Sequence, residues 1–154
     1  HAWHHLSLLD TPSNILIAGD AFGASYPGYI SEDHAFAVPV VPPPQFKPEA
    51  YRATLQRIVD LMPTAVAPAH FPLIQDVAGM ARQLTEMLDA AVTLAVQAES
   101  MRDLEQKLQT AWAGWLPAGC SQEAFIKDFD MDIWLTAEGM WLWREKQEKK
   151  KAAQ

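Results

Sequence analysis

The sequence predicts an α/β chain, with a small sheet and one interposed helix over residues 1–72 and helices alone over residues 73–154. Three observations lead there. Short apolar runs bounded by Pro, Asn and Gly occur at 5–9 (HLSLL), 15–18 (ILIA) and 64–69 (TAVAPA), the pattern of buried strands. A stretch with apolar residues at three-to-four spacing lies before the third run. Beyond Leu73 the helical period takes over.

The first twenty residues read as a hairpin, with the turn sequence 10–14 (DTPSN) between the two runs and the second run ending in Gly19-Asp20. Residues 21–47 hold Gly23, Pro27, Gly28 and the proline-rich run 39–44 without a sustained period, and a loop of that length in a compact domain serves as a lid or rim. Pro48 suits the first turn of a helix, and Tyr51, Leu55, Ile58, Leu61 and Met62 share a face until Pro63 stops it. Residues 64–69 then lead straight into His70, so strand, helix and strand form a βαβ-like unit.

In the second half, 74–98 reads as a long alanine-rich helix and 101–115 as an amphipathic one. A third helix, 131–149, carries Trp134, Trp141 and Trp143, whose spacing with Ile133, Leu135 and Met140 places them against the alanine-rich helix. Gly114, Pro117 and Gly119 interrupt the pattern, and Ser121 with Gln122 and Glu123 starts a short helix around Phe125. Asp128, Asp130 and Asp132 alternate like the opening of a calcium loop, yet the glycine and terminal glutamate of such a loop are missing, so they read as a helix N-cap cluster.

Composition narrows the function classes. A chain of 154 residues, 49% hydrophobic and 20% charged, has the make-up of a globular domain, and no apolar run approaches the ~20 residues of a membrane-spanning helix. The net charge of −7 repels nucleic acid and anionic membranes, and the lysine-rich end reads as a solvated helix terminus. The single cysteine, Cys120, excludes an intrachain disulfide and fits a reducing, cytoplasmic setting. No signal peptide is visible, although the chain opens on His1 and not on Met.

Three metal-capable side chains fall at strand ends: His1 before the first strand, Asp20 after the second and His70 after the third. Ligands of open α/β sheets gather beyond the carboxyl ends of strands, so Asp20 and His70 can converge there with His1 beside an antiparallel neighbour. Two imidazoles and a carboxylate are donors that zinc or non-haem iron takes, and a carboxylate can bridge two ions.

Residues 1–10 (HAWHHLSLLD) resemble the motif H-T-x-G-H-x-S-L of the metallo-β-lactamase superfamily, whose leading histidine binds metal. Residues 15–22 (ILIAGDAF) are similar to that family's strand ending in Gly-Asp, and 66–71 (VAPAHF) to the strand delivering its last histidine. The resemblance spans residues 1–72, and the later segment 137–144 (AEGMWLWR) resembles the C-terminal extension of a glyoxalase II-like branch of hydrolases. It implies the C-terminal half of an αββα sandwich over 1–72 and a helical C-terminal extension over 73–154.

By the same resemblance His1 binds one metal, Asp20 bridges both and is the catalytic carboxylate, His70 binds the other, and His5 supports the site without ligating. The implied cofactor is two zinc ions per intact protein, with iron or manganese as alternatives. Such ions lower the pKa of a shared water toward ~7, and the resulting hydroxide attacks an ester, thioester, lactone or amide of a small-molecule substrate. His34 and Tyr26, in the long loop, are candidates for reaching that substrate.

Two departures bear on local geometry: His4 stands where the family has glycine, and Ala69 replaces the glycine before the last histidine. The family's H-x-H-x-D-H loop does not occur in the sequence. Either the natural protein extends N-terminally and this chain is a fragment of it, or the chain cannot hold a complete dinuclear centre. Pairing with a missing N-terminal half, or a homo-oligomer, follows as an expectation. Two alternatives stand beside the hydrolase: a non-catalytic interaction module, whose unpaired strand edge and apolar surface favour association, and a mononuclear iron sulfur dioxygenase of the same fold.

Overall fold

The computed structural model describes residues 2, 4–29, 35–70 and 73–153. Strands β1 (Leu8–Asp10) and β2 (Ile15–Gly19) pair antiparallel, with Leu8 opposite Ile17 and Asp10 opposite Ile15. Helix α1 (Pro48–Asp60) then crosses over to β3 (Ala65–Pro68), which runs parallel to β2. The sheet order is β1-β2-β3, so the hairpin and the βαβ unit of the sequence reading share the central strand.

The loop between β2 and α1 is more ordered than its composition suggests. Asp20–Phe22 make one 3₁₀ turn, and Ala24 and Val38 exchange two backbone bonds of 2.9 Å. Phe36, Ala37, Val38 and Val41 are buried. Backbone that enters a core needs partners, and this bridge supplies them.

The second half is helical: α2 (Val77–Gln97), α3 (Met101–Trp112), a 3₁₀ turn (Ala113–Trp115), α4 (Gln122–Asp128) and α5 (Asp130–Ala152). Helix α2 starts three residues later than its periodicity predicts, because Ile74 pairs with Val66 of β3 through backbone bonds of 2.8 and 2.9 Å. Asp76 then caps α2 by accepting the Gly79 amide at 2.9 Å. No helix among the described residues is long and apolar enough to cross a membrane.

One hydrophobic core runs through both halves, from Leu16 and Ala18 of β2 and Leu55 of α1 to Leu84, Leu88, Leu104 and Ile133 of the later helices. The tryptophans are distributed differently from the sequence expectation. Trp112, of α3, is fully buried, its indole donating to the Met87 carbonyl at 3.2 Å. Trp134 is exposed, and Trp141 is half-buried under the Arg144 guanidinium, 4.9 Å from its ring centroid. Ile133 and Met140, expected on the same face, do carry the inward face of α5.

The sheet is covered on one side only. Leu16 and Ala18 face the core, whereas Ile17 and its cross-strand partner Leu8 are 51% and 59% exposed, with Leu6 exposed nearby.

Candidate metal centre

The carboxyl ends of the parallel pair β2 and β3 bring Asp20 and His70 together. The register slips between Ile17 and Gly19, so Gly19 lies opposite Pro68, and the strand end bends as bulged strands do. Gly19 adopts φ +55° and ψ −143°, which turns Asp20 out of the strand into the 3₁₀ turn. Backbone bonds tie the ends: the Ala69 amide donates to the Gly19 carbonyl at 3.2 Å, and the Ser25 amide to the His70 carbonyl at 3.3 Å.

His70 Nε2 lies 3.5 Å from Asp20 Oδ1, with the side chains 56% and 33% exposed. Two donors on one tetrahedral zinc, each about 2.1 Å from it, sit about 3.4 Å apart. The observed separation therefore fits a shared cation. Among the described residues no third His, Cys, Asp or Glu joins the pair in a metal-sized group. The expected ligand His1 lies outside the described residues, as does His34.

His5 sits where a supporting residue should. Its Nε2 is 2.9 Å from the Ala18 carbonyl oxygen, so the tautomer protonated there donates to it. Its ring lies over Gly19, where a Cβ would come within 2.8 Å of His5 Cε1.

Two residues near the site have other roles in the sequence reading. Asp132, in the first turn of α5, accepts the Tyr26 hydroxyl at 2.7 Å and feels the charges of both His70 and Asp20. Burial holds its carboxyl above the ordinary range, while the Tyr26 hydrogen bond and His70 pull the other way. The Asp128–Asp132 segment is thus not the cap cluster expected: the N-cap of α5 is Phe129, without a side-chain cap bond. Asp128 accepts the Tyr29 hydroxyl at 3.0 Å instead. Tyr26 and Tyr29 both meet Phe129 edge-on, at centroid distances of 4.8 and 5.0 Å. Burial, Asp128 and the charge of Cys120 push the Tyr29 phenol up to about 12.

The second such residue is Tyr51 of α1, fully buried beside Phe46 with ring centroids 5.7 Å apart. Burial raises its phenol pKa, the Val40 backbone partly offsets this, and the Asp20 charge raises it further. In an amphipathic helix such a tyrosine reads as one more apolar position. Only the packing of α1 on the 3₁₀ turn that begins at Asp20 gives it a place near the site.

No family model matches the sequence, and no curated protein matches it. Among solved structures the chain resembles an archaeal metallo-β-lactamase superfamily protein from Sulfolobus tokodaii, with a TM-score of 0.50 and 21% identity over 88% of this chain and 42% of that one. It also resembles a metallo-β-lactamase family protein from Thermus thermophilus, with a TM-score of 0.51 and 19% identity over 91% of this chain and 40% of that one. The chain thus spans 40–42% of the length of these structures. Its fold is that of the C-terminal portion of a metallo-β-lactamase-superfamily protein.

Proposed function

We propose that this chain is part of a metal-dependent hydrolase that opens an ester, thioester, lactone or amide bond. The observation that carries this reading is the 3.5 Å approach of His70 to Asp20 at the ends of adjacent parallel strands. The fold likeness supports it.

In this reading Asp20 and His70 hold a divalent cation, zinc by donor type, with His1 as a further donor and the remainder from outside the 154 residues. The bound cation supplies Lewis acidity, which polarises a carbonyl and makes water acidic enough to attack near neutral pH. Asp20, with two oxygens, can serve two cation positions. His5 holds the Gly19 bend from which Asp20 emerges, and so fixes the direction of the carboxylate. The partial exposure of both donors leaves room for a small substrate to approach. Tyr26 donates to Asp132 and so acts as a wall of that approach, and His34 of the same loop is a second candidate for contact by sequence.

Calorimetric zinc titration tests the assignment. The chain is expected to take up zinc, and Asp20→Ala or His70→Ala to weaken uptake at least tenfold, about 1.4 kcal/mol. Hydrolysis of an activated thioester by the whole protein should disappear in Asp20→Ala. Unchanged zinc affinity in both variants, or retained hydrolysis in Asp20→Ala, overturns the proposal.

A further inference from the structure

The Tyr51 hydroxyl is buried and, among the described residues, has no partner that takes its proton, although its ring fills a core position that phenylalanine would fill as well. Buried polar groups in folded chains are almost always paired, and leaving one unpaired costs stability. A hydroxyl kept at such a place calls for a use. Two polar groups act on the phenol. The Val40 backbone approaches the phenolic oxygen, yet among the described residues no acceptor takes the phenolic proton. The other is Asp20, whose charge acts on the phenol and whose Oδ1, the oxygen approached by His70, is itself buried. Helix α1 packs directly on the 3₁₀ turn that Asp20 opens, so phenol and carboxylate lie on touching elements.

We propose that Tyr51 is the positioning residue for Asp20, its hydroxyl donating to the carboxylate when a cation occupies the Asp20–His70 site. The inference rests on the metal-site reading above and deepens it. In the cation-free chain the hydroxyl is a cost. In the loaded chain it orients the carboxylate from the core side while His5 fixes the backbone from the other. Partners of this kind around a metal site typically contribute 10–100-fold to metal affinity. Tyr51 is not a ligand here, and a phenylalanine would leave the packing with Phe46 in place.

The two halves of the idea predict effects of opposite sign. In the metal-free chain Tyr51→Phe should melt at the same temperature as the wild type or higher, because an unpaired buried hydroxyl has been removed. Its zinc affinity, by calorimetry, should fall at least tenfold, and the cobalt-substituted chain should show a shifted visible spectrum. Ile58→Val, on the same buried face of α1, serves as the packing control and should lower the melting temperature while leaving zinc affinity as it was. Zinc uptake by Tyr51→Phe equal to that of the wild type overturns the Tyr51 assignment alone. So does a metal-free melting temperature several degrees below the wild type, which would mean that the hydroxyl is already bonded. If the wild-type chain takes up no zinc at all, the metal-site reading falls and this assignment with it.

Discussion

Gly19 shows how a single position shapes the site. Its φ of +55° lies where L side chains are strained, and a Cβ there would meet the His5 ring at 2.8 Å. Gly19→Ala is therefore expected to destabilise the fold by about 1–3 kcal/mol, read in urea melts, and to disturb His5 as well as Asp20. The sequence already marks this position, because a glycine before an aspartate at the end of an apolar run is a turn signal with a metal-capable residue attached. Asp20 and His70 were legible as metal-capable side chains where two short apolar runs end, and His5 only through the resemblance of residues 1–10 to a family motif. Tyr51 and Asp132 were not. A tyrosine on an amphipathic face looks like core, and an aspartate at a helix start looks like a cap; only the contacts across the chain separate these roles from the ordinary ones.

At the level of elements, hydrophobic period located each strand and α-helix among the described residues but misplaced some ends. Helix α2 is the clearest case. Its apolar period begins at Ile74, yet the backbone of Ile74 is engaged by β3 and the helix starts only after Asp76. A competing backbone partner leaves no trace in side-chain period, so that boundary is invisible in sequence. The Asp76 cap also explains the glycine that follows, since a Cβ on Gly79 would collide with the Asp76 carboxylate. Asp76→Ala is expected to cost about 1 kcal/mol and to speed amide exchange in the first turn of α2, with the rest of the helix unchanged. The long loop is a loop, as its composition indicates, but a better ordered one. Its prolines and glycines hid a bridge between Ala24 and Val38 that joins residues distant in sequence.

For the molecule as a whole, the joints between the loop after Asp20 and the last helices include two tyrosine–aspartate bonds, Tyr26 to Asp132 and Tyr29 to Asp128. Burial raises the Asp132 carboxyl above its ordinary value of 3.8, so the folded chain holds that proton more tightly than the unfolded one. Stability from this group is then full below that value and declines as pH rises through the interval up to the folded pKa, the reverse of a salt-bridged aspartate. Asp132→Asn should remove this decline in the metal-free chain. Urea melts across the acid range would show wild type and variant converging at the low end and the variant more stable toward neutrality.

The bare side of the three-stranded sheet has a colloidal consequence. Leu8 and Ile17 stand side by side in water, and any apolar surface that reaches them releases the solvent they order. The charge of −7 works against two like copies meeting there, and salt shortens the reach of that repulsion. Ionic strength thus sets how readily this strip finds a neighbour, independently of anything that happens at the far ends of the strands.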